Sequence, residues 1–170
     1  MGASERRLLF LCDGIRNNTS VSISSGSSTK IGSRTLASYS YSTDGNHYLT
    51  SLDYGNGDSV DYSYDKYGKI TKETYEDSAT VSYTYDNNGD LATVIDSETG
   101  RSYSYYYDFT GRLMKYKGKA SGYSHSVGYT YDESNNLTGI EEKISDVKRT
   151  TTYAYDDNNR VTGSTTGNAS

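Results

Sequence analysis

The sequence predicts an all-β chain of repeated antiparallel β-hairpins, about 22 residues per repeat, forming a curved, spiralling sheet or shell segment. Three observations lead there. A short tyrosine motif recurs along most of the chain, each copy runs into a turn-forming quartet, and the aliphatic supply is too thin for an ordinary globular core.

The thin core is read from composition. Leu, Ile, Val and Phe make 25 of 170 residues, about 15%, a share that by itself leans toward disorder. Twenty tyrosines offset it, because a packed tyrosine brings a large apolar ring and one polar handle. The net charge of −5 is modest and does not force the chain open. Seventeen glycines and no proline supply turns without breaking strand ladders.

The elements follow in order. The pattern Tyr-x-Tyr-Asp-x-x-Gly-x-aliphatic occurs with Tyr62, Tyr64, Asp65, Gly68 and Ile70, with Tyr83, Tyr85, Asp86, Gly89 and Leu91, and with Tyr105, Tyr107, Asp108, Gly111 and Leu113. Two more copies carry Asn in place of Gly: Tyr129, Tyr131, Asp132, Asn135 and Leu137, then Tyr153, Tyr155, Asp156, Asn159 and Val161. An earlier copy at Tyr39–Gly45 has Ser42 for Asp and lacks the aliphatic at its usual offset. The second tyrosines stand at 41, 64, 85, 107, 131 and 155. Six copies in register define the array at residues 35–165, with an N-terminal segment at 1–34 and a tail at 166–170. The stretch 10–23, FLCDGIRNNTSVSI, reads as an eroded seventh copy with Phe10 and Cys12 in the tyrosine places. An alternative reading takes LLFLCDG as a strand and turn that resembles the opening of phospholipase-like hydrolases, although no G-x-S-x-G elbow follows it.

Each copy is expected to be a hairpin. Residues i and i+2 of a strand share a face, so Tyr83 and Tyr85 point the same way. Asp86-Asn87-Asn88-Gly89 reads as a type I turn whose Asp bonds the turn backbone and whose Gly takes positive φ in a G1 bulge. Asn is the best substitute there, as at 135 and 159. Turn arithmetic then sets Tyr85 opposite Leu91, and likewise Tyr64 and Ile70, Tyr107 and Leu113, Tyr131 and Leu137, and Tyr155 and Val161. The opposite, polar face is expected to hold Ser82, Thr84, Asp86, Asp90 and Ala92 in one unit and Ser63, Asp65, Lys69, Thr71 and Glu73 in the one before. Between hairpins, turn signals stand at Glu76–Ser78, Asp96–Gly100 and Lys119–Gly122. About twelve strands result, too many for an open twisted sheet that does not curl.

The units YSYDKYGKI, YTYDNNGDL, YYYDFTGRL, YTYDESNNL and YAYDDNNRV resemble YD repeats of the RHS family. That family comprises bacterial RHS and wall-associated proteins, the B and C components of insecticidal toxin complexes, and the teneurins. The resemblance implies a hollow β-shell that encloses a toxin or closes on itself at a cell surface. It implies as partners the rest of a larger RHS-type shell or an encapsulated toxin, and an extracellular or cell-surface location with the export signal outside these residues. The self-cleaving Asp-Pro-x-Gly motif of toxin-carrying members is missing, since the sequence has no proline. A non-catalytic structural segment is therefore expected, without cofactor or metal.

Other chemistry finds little support. His47 and His125 lie in different repeats and read as surface or loop histidines. The acidic turns miss the EF-hand spacing. An acidic balance argues against nucleic acid, and Lys115, Lys117 and Lys119 read as a solvated strand face. Cys12 is the lone cysteine, and no apolar run reaches membrane-spanning length. The alternative function is a glycan-binding or adhesion repeat using exposed tyrosines, with Tyr106 the candidate contact because it faces away from Tyr105 and Tyr107. Free sheet edges also make self-association an expected hazard.

Overall fold

The computed structural model describes the backbone of residues 6–12, 18–27 and 30–169, and the side chains of residues 36–168. The described residues form fourteen strands and no helix. They fall into two units, residues 1–80 and 81–170.

The first unit holds β1 (Arg6–Cys12), β2 (Asn18–Ser27), β3 (Lys30–Tyr41), β4 (Leu49–Tyr54), β5 (Ser59–Tyr64) and β6 (Ile70–Tyr75). Each strand pairs antiparallel with the next. In β1 and β2, Phe10 pairs with Val21 and Cys12 with Asn18. The intervening residues, with Asp13 and Gly14 of the hydrolase-like reading, lie outside the described residues. Where the side chains are described, the first unit buries little: Ala37 and Val60, each 8% exposed, are the two buried apolar residues.

The second unit begins with β7 (Thr80–Tyr85) and β8 (Leu91–Asp96), then β9 (Ser102–Tyr107) and β10 (Leu113–Ala120). It continues with β11 (Tyr123–Tyr131), β12 (Leu137–Ile144), β13 (Val147–Tyr155) and β14 (Val161–Ala169). It too is a meander of sequential antiparallel pairs. The six hairpins from β3 onward correspond to the six tyrosine copies. Tyrosine rings on one face, half-buried against one another, take the place of a two-layer core.

The registers are those the turn arithmetic requires: Tyr64 with Ile70, Tyr85 with Leu91, Tyr107 with Leu113, Tyr131 with Leu137 and Tyr155 with Val161. The first copy has its aliphatic too, two positions late. Tyr41 pairs with Leu49 around a longer loop.

One expectation fails. Immediately after every aliphatic the pairing skips a residue: Thr50, Thr71, Ala92, Met114, Thr138 and Thr162. A bulge puts two residues opposite one and shifts the face of everything beyond it. Thr93 therefore pairs with Thr84, their hydroxyls 2.7 Å apart, and Val94 pairs with Tyr83. Glu73, expected on the polar face, stands opposite Tyr62 and accepts a bond from the Tyr75 hydroxyl at 2.9 Å. A second correction is smaller. Lys119 and Ala120 belong to β10, and the turn that follows is only Ser121–Gly122, because Ala120 pairs with Tyr123.

Candidate functional site

The motif residues converge at one edge of each unit, where the Asp turns lie. In each of five copies the Asp side chain braces its own loop. Asp86 Oδ1 accepts the amides of Asn88 and Asp90, both at 2.9 Å, while the Gly89 amide closes the turn on the Asp86 carbonyl at 3.0 Å. Asp65, Asp108, Asp132 and Asp156 repeat this two-amide pattern. The residue at the Gly position always has positive φ, from 82° at Gly68 and 88° at Gly89 to 67° at Asn135 and 61° at Asn159. In the first copy Ser42 accepts the Tyr48 amide and donates to Asp44 Oδ1, so a Ser–Asp pair does the work of the single Asp.

These bonds set the acidities. The Thr110 hydroxyl and the Arg112 guanidinium hold Asp108 well below the usual carboxylate range. Asp132 is lowered chiefly by the Asn136 side chain, and Asp156 by Arg160. On the tyrosine face the shifts run the other way. Burial, then the charge of Glu73, raises the hydroxyls of Tyr62 and Tyr64.

The second tyrosine of the motif has a use that its alternation with polar residues does not reveal. Between hairpins the ladder stops short of the turn edge, at Ser51–Asp61, Lys115–Gly128 and Gly139–Thr152. Beyond that point a phenol continues it. Tyr64 Oη donates to the Leu49 carbonyl at 2.6 Å, Tyr131 Oη to Leu113 at 3.0 Å, and Tyr155 Oη to Leu137 at 2.8 Å. The acceptor is always the residue just before the bulge of the preceding hairpin. A bulge disrupts the regular ladder, and the phenol of the next repeat supplies a partner there. This bond links one repeat to the next.

Neighbouring turns are also joined. Arg112 Nη1 donates to Asn135 Oδ1 at 2.6 Å and lies over the Tyr131 ring at 4.8 Å. One repeat on, Asn136 Nδ2 donates to Asn159 Oδ1 at 2.8 Å. Asn at the Gly position thus tolerates positive φ and also offers an acceptor to the preceding turn. Gly68 is glycine for an added reason: a Cβ there would lie 2.5 Å from the Tyr48 hydroxyl, whose ring stacks on Tyr64 at 4.8 Å.

The motif tyrosines that precede these take other places. Tyr62, Tyr83 and Tyr105 pair with Glu73, Val94 and Tyr116, while Tyr129 and Tyr153 pair with Ile140 and Ser164. Tyr106 is 46% exposed on the opposite face, with the Lys117 ammonium 5.2 Å from its ring centre. His47 lies exposed in the first loop, whereas His125 is a half-buried residue of β11 and not a loop histidine. It packs edge-on to Tyr116 at 4.9 Å and over Gly118, where only a glycine leaves room for the ring. Among the described residues no group of three His, Cys, Asp or Glu is placed to hold a metal ion.

The family model of the RHS Repeat matches residues 64–99, which run from Tyr64 through the Asp65 and Asp86 turns. That stretch carries an RHS repeat. The likeness in fold extends well past the matched stretch. A crystal structure of TcdB2-TccC3 without the hypervariable C-terminal region aligns over 92% of this chain with a TM-score of 0.71 at 18% identity. Crystal structures of TcdB2-TccC3 and of TcdB2-TccC3-Cdc42 do so with a TM-score of 0.70 at 17% identity. The chain spans 9% of the length of each of these. No curated protein matches it. Among the described residues no helix is long and apolar enough to cross a membrane.

Proposed function

We propose that this chain is a non-catalytic structural segment of an RHS-type β-shell that encloses or presents cargo, in a secreted, cell-surface or toxin-delivery protein. The observation that carries the reading is the phenol-to-carbonyl bond by which Tyr64, Tyr131 and Tyr155 each join their repeat to the one before it. Such a bond commits the recurring motif hydroxyl to wall building and leaves the motif tyrosines packed side by side. The Asp turns serve the same end, since each carboxylate braces its own loop. The partners are the rest of a larger shell and the material inside it, and the 92% coverage of this chain by TcdB2-TccC3 structures supports the wall geometry. On this reading the N-terminal segment at 1–34 is an eroded repeat, residues 35–165 are six repeats, and 166–170 are a C-terminal tail whose residues up to Ala169 belong to β14.

The test is limited proteolysis of the native gene product purified from its own cells. A polypeptide that resists protease until the shell is unfolded by denaturant, and that co-purifies with these repeats, is the expected result. If every segment outside the repeats is cut as fast in the folded as in the unfolded protein, enclosure is refuted.

A further inference from the structure

On the face opposite the tyrosines, strands β9 to β12 form a groove of about 760 Å³. Its walls carry Lys117, Lys119 and Lys143 together with Ser102, Ser104 and Ser126. The registers explain the grouping. Ser104, Lys117, Ser126 and Lys143 form one row across four strands, and Ser102, Lys119 and Ser124 form the adjacent row. Lys117 and Lys119 are therefore about 6.7 Å apart along β10, and Lys117 and Lys143 roughly 10 Å apart across two strand spacings.

The charge of this groove runs against that of the chain. Within a protein of net charge −5, its walls bear three lysines and one carboxylate, Asp146. The nearby Glu141 is already paired with Lys148 at 2.7 Å, and among the described residues no salt bridge engages Lys117, Lys119 or Lys143. One aromatic ring stands beside them. Tyr106, 46% exposed, shares the lysine face, its ring next to the Lys117 ammonium.

We propose that this groove binds a segment of an acidic polysaccharide, with sulfate or carboxylate groups on the lysines. Its hydroxyls meet the serines, and a sugar face rests on the Tyr106 ring. Three features select this ligand class. Ammonium groups at two regular spacings suit anions repeated along a polymer. Small hydroxyl side chains between them suit a hydroxyl-rich backbone. One exposed ring beside the lysines suits a pyranose face and offers no platform on which successive bases stack as they do in single-stranded nucleic-acid sites. The lysines serve no repeat-linking bond, so the site is separable from the wall itself.

The experiment is calorimetric titration of the whole chain with heparin oligosaccharides, polygalacturonate oligosaccharides, neutral dextran and single-stranded DNA of matched charge, at about 0.15 M salt. Binding of the sulfated or the carboxylated glycan, with dextran silent and DNA weaker, is expected, and the two glycan arms tell sulfate from carboxylate recognition. The variant Lys117→Gln/Lys119→Gln/Lys143→Gln should lose affinity by roughly tenfold or more. Tyr106→Ala should weaken binding without changing its salt dependence. Unchanged circular dichroism and urea midpoint in both variants keep the comparison on binding. No heat with either acidic glycan, equal affinity for DNA, or a triple variant that binds as well as the parent would overturn the proposal.

Discussion

Replacing Tyr131 by phenylalanine removes one hydroxyl and leaves the ring where it is. The ring keeps its packing and the Arg112 guanidinium 4.8 Å above it, so the change isolates the 3.0 Å bond to the Leu113 carbonyl. A neutral hydrogen bond contributes a net 0.5–1.5 kcal/mol, roughly. The Leu113 carbonyl is partly buried and regains some water when the phenol is gone. The expected cost is therefore about 1 kcal/mol, in the middle of that range. Tyr155→Phe breaks the equivalent bond to the separate Leu137 carbonyl, so the double variant should lose about 2 kcal/mol, additively. The exposed Tyr106→Phe is the control. Urea unfolding followed by far-ultraviolet circular dichroism gives the totals. Amide hydrogen exchange across residues 113–137 locates the loss, because repeat arrays open locally. A Tyr131→Phe cost indistinguishable from that of Tyr106→Phe, with exchange unchanged at the β10–β11 boundary, would refute the phenol as a repeat-linking bond.

Two further outcomes follow from the turn edge. Gly111→Asn should be nearly neutral, since its φ of 84° suits Asn and a Cβ would meet only Asp90 at 3.9 Å, whereas Gly68→Asn should cost on the order of 1–3 kcal/mol by displacing Tyr48; equal urea midpoints for the two variants would show the Tyr48 packing to be irrelevant. The depressed carboxylates of Asp108, Asp132 and Asp156 make the fold acid-labile: their contribution is complete above the unfolded value of about 3.9 and is lost as pH falls through the lower folded values. The urea midpoint should therefore drop between about pH 4 and pH 2, less steeply in Asp132→Asn, and a flat midpoint across that window contradicts the bracing role.

The sequence by itself determined the hairpin, its turn and its register, because all three are local. A tyrosine pair, an Asp and a residue suited to positive φ lie within about ten residues, and chain geometry leaves one way to close them. It determined the repeat for the same reason, since identical local chemistry recurs. What it left undecided depends on neighbours distant in sequence. The bulge after each aliphatic shifts the face by one residue, so alternation placed Glu73 on the wrong side of β6. The late aliphatic of the first copy, Leu49, became visible only through its pairing with Tyr41 and its bond from Tyr64. A hydroxyl 15 or 18 residues from its carbonyl leaves no local signature. Nor does Asn136 reaching Asn159, 23 residues on. The lysines tell the same story: Lys117 and Lys119 read as a solvated strand until pairing through Ser126 brought Lys143 alongside. Local backbone preferences write the unit, and the tertiary structure alone decides how one unit holds the next, because those bonds form only when strands stack.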